Sequence, residues 1–281
     1  MNKIEFQGKG NKNILILTGV HGNELTPVYC SYLLNNYFKN VISPHFKKLT
    51  ILNSINLDGI RENIRDIPND STSDINRMFK QEPYNFHYDE MKSMFDEHDV
   101  IIDVHSSPNC CEFILLNQNE TTNSYVEFAL KYNIKYLIRY SNTNTIKKYG
   151  LDNNKISFTV ELNKVNFIDV ESSGKGADMI LDIINHCDDF ELKEEEPKYC
   201  EFFEYYTYKE GLFIPYKGLG IGDVITKDEC FGHLLDLKTL KLNKIYYTKD
   251  ISATIICTGS SQYVSSNNSI YYLQPKENYE K

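Results

Sequence analysis

Short apolar runs recur along the first two-thirds of the chain, each closed by a polar or glycine-bearing turn. Asn13 is followed by Ile14, Leu15, Ile16 and Leu17, four consecutive apolar residues, which read as a strand buried on both faces rather than on one. Gly19 breaks this strand. Leu25, Val28, Tyr29, Tyr32, Leu33, Leu34 and Tyr37 then follow at helical spacing, with Pro27 suited to a first turn. Residues 49–52 predict a second strand, 99–105 another fully buried one, and 136–138 and 156–161 two more. Helices are expected over 90–98 and 176–188. Between them, residues 58–74 are rich in Asn, Asp and Ser and predict a loop long enough to carry function. Strands alternating with helices define an α/β sheet flanked by helices, and sites in such sheets form beyond the carboxyl ends of the strands.

The texture changes near residue 190. Residues 188–198 (DDFELKEEEPK) form a charged, proline-containing run that reads as a solvated linker. Short β-rich runs follow at 202–208, 212–215, 221–225, 244–248 and 251–257, separated by Gly, Asn and Lys, the pattern of a small all-β domain. The expected organisation is therefore a main domain over 1–190, a charged linker over 191–198 and a C-terminal β domain over 199–281.

Composition narrows the function. With 281 residues the chain can bury a sizeable core, and its net charge of -9 argues against a nucleic-acid partner. No apolar run approaches the roughly 20 residues that cross a bilayer, so no membrane association is expected. The start of the chain lacks the apolar core of a signal peptide, so the expected location is cytoplasmic. The seven cysteines show no CxxC spacing and indicate neither a disulfide framework nor a cysteine metal site. Whether the chain forms a homo-oligomer is left open.

Candidate chemistry gathers at strand ends. The turn after the first strand presents His21 and Glu24, two metal-ligand types held on a rigid scaffold. The spacing alone says little, because 7 histidines and 21 glutamates in 281 positions give about half a chance match. A second match, His87 with Glu90, lies in a polar stretch and reads as a decoy. A catalytic zinc uses three protein ligands, two His and one Glu being a known set. His105, at the end of the second buried strand, is the candidate third ligand, although it also fits a plain strand end. Asp103, two residues earlier on the same face, is placed to accept the free N–H of a ligating histidine. Glu161 ends another buried run, where a carboxylate is either a paired structural group or a base. Arg61, Arg65 and Arg77 crowd together with Asp74 and Asn76, and arginine forks match carboxylates. Arg61 reads best as a solvated charge.

Five motifs occur in order: HGNE at 21–24, Asn56 followed by Arg65, DINRMF at 74–79, DVHSS at 103–107 and FTVEL at 158–162. Together they resemble the succinylglutamate desuccinylase/aspartoacylase family of zinc carboxypeptidase-like hydrolases. The resemblance covers roughly residues 13–190, and the C-terminal β region more loosely. It implies a zinc-carboxypeptidase-like mixed sheet and one Zn2+ held by His21, Glu24 and His105. It further implies Glu161 as general base, Arg65 as the group that polarises the scissile carbonyl, and Asn76 with Arg77 on the substrate's carboxylate. Tyr271 is the nearest match to a tyrosine that reaches the family's site from the C-terminal domain. The implied activity is deacylation of small N-acyl amino acids bearing a free carboxylate. The alternatives are a metallocarboxypeptidase acting on peptides or cell-wall stem peptides, and a metal-retaining binding module without activity. Two departures bear on the substrate. The segment 66–73 (DIPNDSTS) is longer than the compact form, and Asn163 stands where the deacylases carry glycine two residues after the glutamate, which resembles the peptidase branch.

Overall fold

The computed structural model describes residues 2–42, 44–69, 74–80, 86–117, 122–139, 145–192, 203–206, 210–216, 219–250, 252–258, 263–264 and 269–275. The order of the main part is β1 (Asn2–Gln7), β2 (Asn13–Leu17), α1 (Leu25–Phe38), β3 (Lys48–Asn53), α2 (Leu57–Glu62), a 3-10 turn (Ile75–Lys80), α3 (Phe86–Glu97) and β4 (Val100–Ser107). It continues with β5 (Phe113–Asn117), α4 (Thr122–Lys131), β6 (Tyr136–Arg139), α5 (Ile146–Asp152), β7 (Ile156–Asn163) and α6 (Val170–His186). The strands form one seven-stranded sheet in the order β1-β3-β2-β4-β7-β5-β6. Strands β3, β2, β4 and β7 run parallel, β1 is antiparallel to β3, and β5 is antiparallel to β7 with β6 parallel to β5. This is the α/β sheet flanked by helices that the alternating pattern predicted, and it is mixed as the family resemblance implied.

Both faces are covered, which is why the central strands carry no polar alternation. Ile14, Ile16, Ile102, Val104, Phe158 and Val160 face a core closed by α1, α4 and α6. Leu15, Leu17 and Ile101 face the opposite core, with Met91 and Phe95 of α3 and Ile146 of α5. At about 25 cal/mol per Å2 of apolar surface, each such side chain contributes roughly 1.5–3 kcal/mol.

Several elements differ from the sequence expectation. The buried face of α1 is Thr26, Pro27, Cys30, Ser31, Leu34 and Phe38. Tyr32 and Tyr37, counted with the apolar stripe, are 52% and 45% exposed. Their hydroxyls make them amphipathic, and they cover the surface rather than fill the core. The predicted loop 58–74 begins with α2, whose N-cap Asn56 accepts from the Gly59 N–H at 3.0 Å. Helix α6 starts at Val170 rather than near 176, because Asp169 caps it by accepting from the Ser172 N–H. Gly176 lies inside that helix, against Leu162, where a Cβ would come within 2.4 Å of the leucine. Strands β1 and β5 and helices α4 and α5 had no counterpart in the expectation.

The C-terminal part contains β8 (Phe203–Tyr206), β9 (Gly211–Pro215), β10 (Val224–Ile225), β11 (Glu229–Leu235), β12 (Leu242–Tyr247), β13 (Ala253–Thr258), β14 (Tyr263–Val264) and β15 (Ser269–Pro275). They form two antiparallel four-stranded sheets, β10-β13-β15-β8 and β12-β11-β9-β14, around Ile225, Phe231, Leu234, Tyr247, Ile255 and Leu273. The region is all-β as predicted, with β11, β14 and β15 additional. Of the linker run, residues 193–198 lie outside the described residues. Among the described residues no helix is long and apolar enough to cross a membrane.

Candidate metal centre

The turn after β2 is held on three sides. Thr18 donates its N–H to Leu52 O, Asn56 donates to Gly19 O at 2.7 Å, and Gly22 donates to Arg65 O at 3.0 Å. Gly19 has φ +66, in the left-handed region that favours glycine, and this sends the chain sharply out of the sheet. Gly22 is required by proximity. A Cβ there would lie 2.1 Å from the Gly59 carbonyl carbon and 2.4 Å from Ile64 O. The turn that carries His21 and Glu24 is thus packed directly on α2 and on the chain leading to Arg65.

His105 arrives from β4, at the carboxyl end of the strand beside β2, and all three side chains are buried. His105 Nδ1 lies 3.1 Å from His21 Nδ1 and 3.0 Å from Glu24 Oε2, and His21 Nδ1 lies 2.7 Å from Glu24 Oε1. Ligand atoms of the three residues lie within 4.8 Å of one another, and no other trio of His, Cys, Asp or Glu among the described residues does so.

The outer ring nitrogens are each occupied by a carboxylate. Asp103 Oδ2 lies 2.8 Å from His105 Nε2, and Asp74 Oδ1 lies 3.0 Å from His21 Nε2. A carboxylate only accepts, so each Nε2 carries the hydrogen. Neutral rings in this tautomer turn both Nδ1 lone pairs inward, onto a carboxylate. Three converging acceptors at 2.7–3.1 Å repel one another unless protons or a cation lie between them. The donor chemistry therefore fits a divalent ion, with carboxylates behind the histidines as metal sites commonly have.

The electrostatics agree. Burial works against the charge of Glu24, yet His21 and His105 outweigh it and hold its carboxyl well below the usual range. Burial likewise opposes Asp74, and His21 and Arg65 win. Burial disfavours a charged His105, but Asp103 and Glu24 raise its pKa well above the ordinary value. Without an ion, protons take the cation's place.

The remaining candidates surround this trio unequally. Arg65 bridges Glu24 Oε1 at 3.1 Å and Asp74 Oδ2 at 3.2 Å. Asn76 is buried. Its Oδ1 accepts from the Ile146 N–H at 2.9 Å, which fixes the amide and leaves Nδ2 3.1 Å from His105 Nε2. While Nε2 carries its hydrogen, that approach is a contact between two donors, so the amide N–H is available to another acceptor. Glu161 stands opposite His105 in the β4–β7 register, and Ser107 donates to its Oε2 at 2.9 Å. Burial raises its pKa, partly offset by His105. Arg77 is exposed, and its Nη1 reaches Asn76 O at 3.4 Å. Tyr271 lies on β15, paired with Thr258 and Tyr205, and its side chain is outside the described set. Arg61 pairs with Asp58 on the surface, apart from the cluster. His87 falls on α3, and its side chain is also outside the described set.

Three participants had no assigned role in the sequence reading. Asp74 joins His21 to Arg65, the Ser106 N–H donates to Glu24 Oε2 at 2.9 Å, and Ser107 holds Glu161. Asp74 was visible among the arginines. The other two lie in the DVHSS motif, but they act through a backbone group and a common hydroxyl, which do not announce those roles.

The sequence model of the succinylglutamate desuccinylase/aspartoacylase catalytic domain matches residues 10–187. No curated protein sequence matches the chain. Similar solved structures include an aspartoacylase family protein from Mesorhizobium loti, with TM-score 0.75 and 17% identity over 97% of this chain and 88% of that one. A succinylglutamate desuccinylase/aspartoacylase from Rhodobacter sphaeroides has TM-score 0.75 and 14% identity over 97% and 88%. The ectoine utilization protein EutE (DoeB) from Ruegeria pomeroyi has TM-score 0.74 and 12% identity over 96% and 87%.

Proposed function

The chain belongs to the succinylglutamate desuccinylase/aspartoacylase family, and from this we propose that it is a zinc-dependent hydrolase that removes the acyl group from a small N-acyl amino acid. One observation carries the reading: two imidazoles, each backed by a carboxylate, turn their inner lone pairs onto Glu24. His21 Nδ1, Glu24 and His105 Nδ1 would hold the ion. When bound, it supplies a Lewis acid that polarises a carbonyl and lowers the pKa of a water towards ~7.

Glu161 is the proton carrier. Ser107 occupies its Oε2, so Oε1 is the oxygen that takes a proton from the attacking water and passes it to the leaving amine. Its raised pKa makes it a stronger base once ionised. Arg65, clamped by Glu24 and Asp74, brings fixed positive charge to the side where the carbonyl oxygen gains negative charge. The Asn76 amide, fixed from behind by Ile146, and the Arg77 guanidinium receive the substrate's free carboxylate, which places the amide for attack. Tyr271 is assigned to the same pocket from the C-terminal β domain. In this reading residues 1–190 form the catalytic domain, 191–198 the linker and 199–281 the β domain.

The test is amine release from a panel of N-succinyl and N-acetyl amino acids, with metal content measured on the same preparation. Glu161→Gln is expected to keep one ion per chain and lose ~100-fold or more in kcat. An unchanged rate would remove Glu161 from the mechanism. Turnover confined to peptides would replace the deacylase reading with a carboxypeptidase.

A further inference from the structure

A cavity of about 520 Å3 lies where the β5–β6 edge of the main sheet meets the C-terminal strands, and none of its lining residues belongs to the metal cluster. Phe113, Leu130, Ile134 and Tyr136 form one wall, and Ile221 and Ile255 stand opposite. The volume falls in the range of small-molecule sites, roughly 300–1,000 Å3. Gly222 is part of the lining, and a Cβ built on it would meet no atom within 4 Å. Large apolar side chains border the cavity from both sides, Leu130 being 44% and Ile221 38% exposed. Hydrocarbon laid between them would remove both from water.

One charge marks the rim. Helix α4 ends at Lys131, and the chain reverses through Asn133 in the left-handed region, with Ile134 donating to Ala129 O at 2.8 Å. The next residue, Lys135, has its carbonyl anchored by the Ile114 N–H at 2.9 Å, while its side chain is exposed and has no carboxylate partner among the described residues. Lys135 is the sole charged residue of the lining among the described residues, in a chain of net charge -9.

We propose that this cavity binds a small amphipathic anion, an unbranched aliphatic carboxylate of ~10 carbons, with its chain between the two apolar walls and its head at Lys135. The site stands independently of the proposed reaction. One of its lining residues, Phe113, is the register partner of Glu161 across β5 and β7.

Decanoate is the probe. Isothermal titration of the full chain is expected to give one saturable site with Kd below ~1 mM. Cys111, whose residue lines the cavity, reports location: bound decanoate should slow its alkylation by iodoacetamide several-fold, read by peptide mass. Lys135→Glu should weaken decanoate binding ~10-fold or more, and Leu130→Trp, which fills the mouth, should abolish it. Decanol should bind ~10-fold more weakly than decanoate or worse. Absence of saturable binding, or binding that leaves Cys111 alkylation and both variants unaffected, would overturn the site. Equal binding of decanol would overturn its assignment to an anion. Should Leu130→Trp misfold, Lys135→Glu, a surface change, decides alone.

Discussion

Lys147 is the second residue of α5, and its ammonium is inside the protein. The residue is buried, Nζ donates to the Leu115 carbonyl, and it lies 5.2 Å from the centre of the Tyr125 ring. No carboxylate faces it among the described residues, and burial alone pushes its pKa down from 10.5 to about 7. At 1.36 kcal/mol per tenfold, that fall corresponds to a penalty of about 5 kcal/mol on the protonated form. Lys147→Met keeps an unbranched chain of similar length and removes the charge. Against the relief stand the hydrogen bond to Leu115, ~2 kcal/mol for a charged donor, and the ring contact, ~1 kcal/mol. The net expectation at neutral pH is stabilisation by ~2 kcal/mol, a rise in Tm of about 4 °C for a chain of this size. The sign with pH follows from proton counting. Between pH 7 and 10.5 the unfolded lysine is protonated and the folded one is not, so the native protein gains stability as pH rises through that window. The advantage of Lys147→Met should therefore be greatest below pH 7 and disappear by ~10. Thermal denaturation of both proteins at pH 6.5, 8 and 9.5 measures this. A variant less stable at pH 6.5, or an advantage equal at all three values, would refute the reasoning. Lys147→Arg, which cannot shed its proton, should be less stable throughout.

Asp103→Asn removes the charge behind His105 and should weaken metal affinity ~10- to 100-fold in a chelator competition. Acid should do the same by refilling the centre with protons, since the metal-free pocket raises the His105 pKa. Metal content after dialysis at pH 5 should fall well below that at pH 8. Asn163→Gly deletes the side chain that accepts from the Cys110 and Lys164 N–H groups and donates to Asp169. Loss of these bonds and the added backbone freedom should cost ~2 kcal/mol, read as a Tm lower by about 4 °C.

The main sheet was legible because its central strands are buried on both faces, and a continuous apolar run such as 14–17 or 100–102 has few other uses. Strand ends were legible for the same reason, which is how His21, His105 and Glu161 stood out. The C-terminal strands were harder. Strand β11 (ECFGHLL) carries polar residues among apolar ones, and its bulge between Cys230 and Gly232 breaks the two-residue alternation a reader would use. Helix α4 reads as mixed because polar Asn123 and Ser124 are buried beside Tyr125 and Val126 while apolar Leu130 is exposed, so residue type does not track burial there. Within the site, the clustered His21, Glu24 and His105 carry telling chemistry, and Asp103 was legible beside His105, whereas supporting residues far away in the chain were not. Ser107 reaches Glu161 across 54 positions and Asp74 reaches His21 across 53. Pairings at such distances depend on strand order, which spacing along the chain does not encode.

Gly22 and Gly59 touch back to back, and the same junction fastens residue 65 through its carbonyl. Nine positions later Asp74 is tied to both His21 and Arg65. Arg65 and Asp74 are thus two posts moored to the turn that presents His21 and Glu24. Disturbing the glycine junction would shift both moorings together, and with them the carboxylate behind His21.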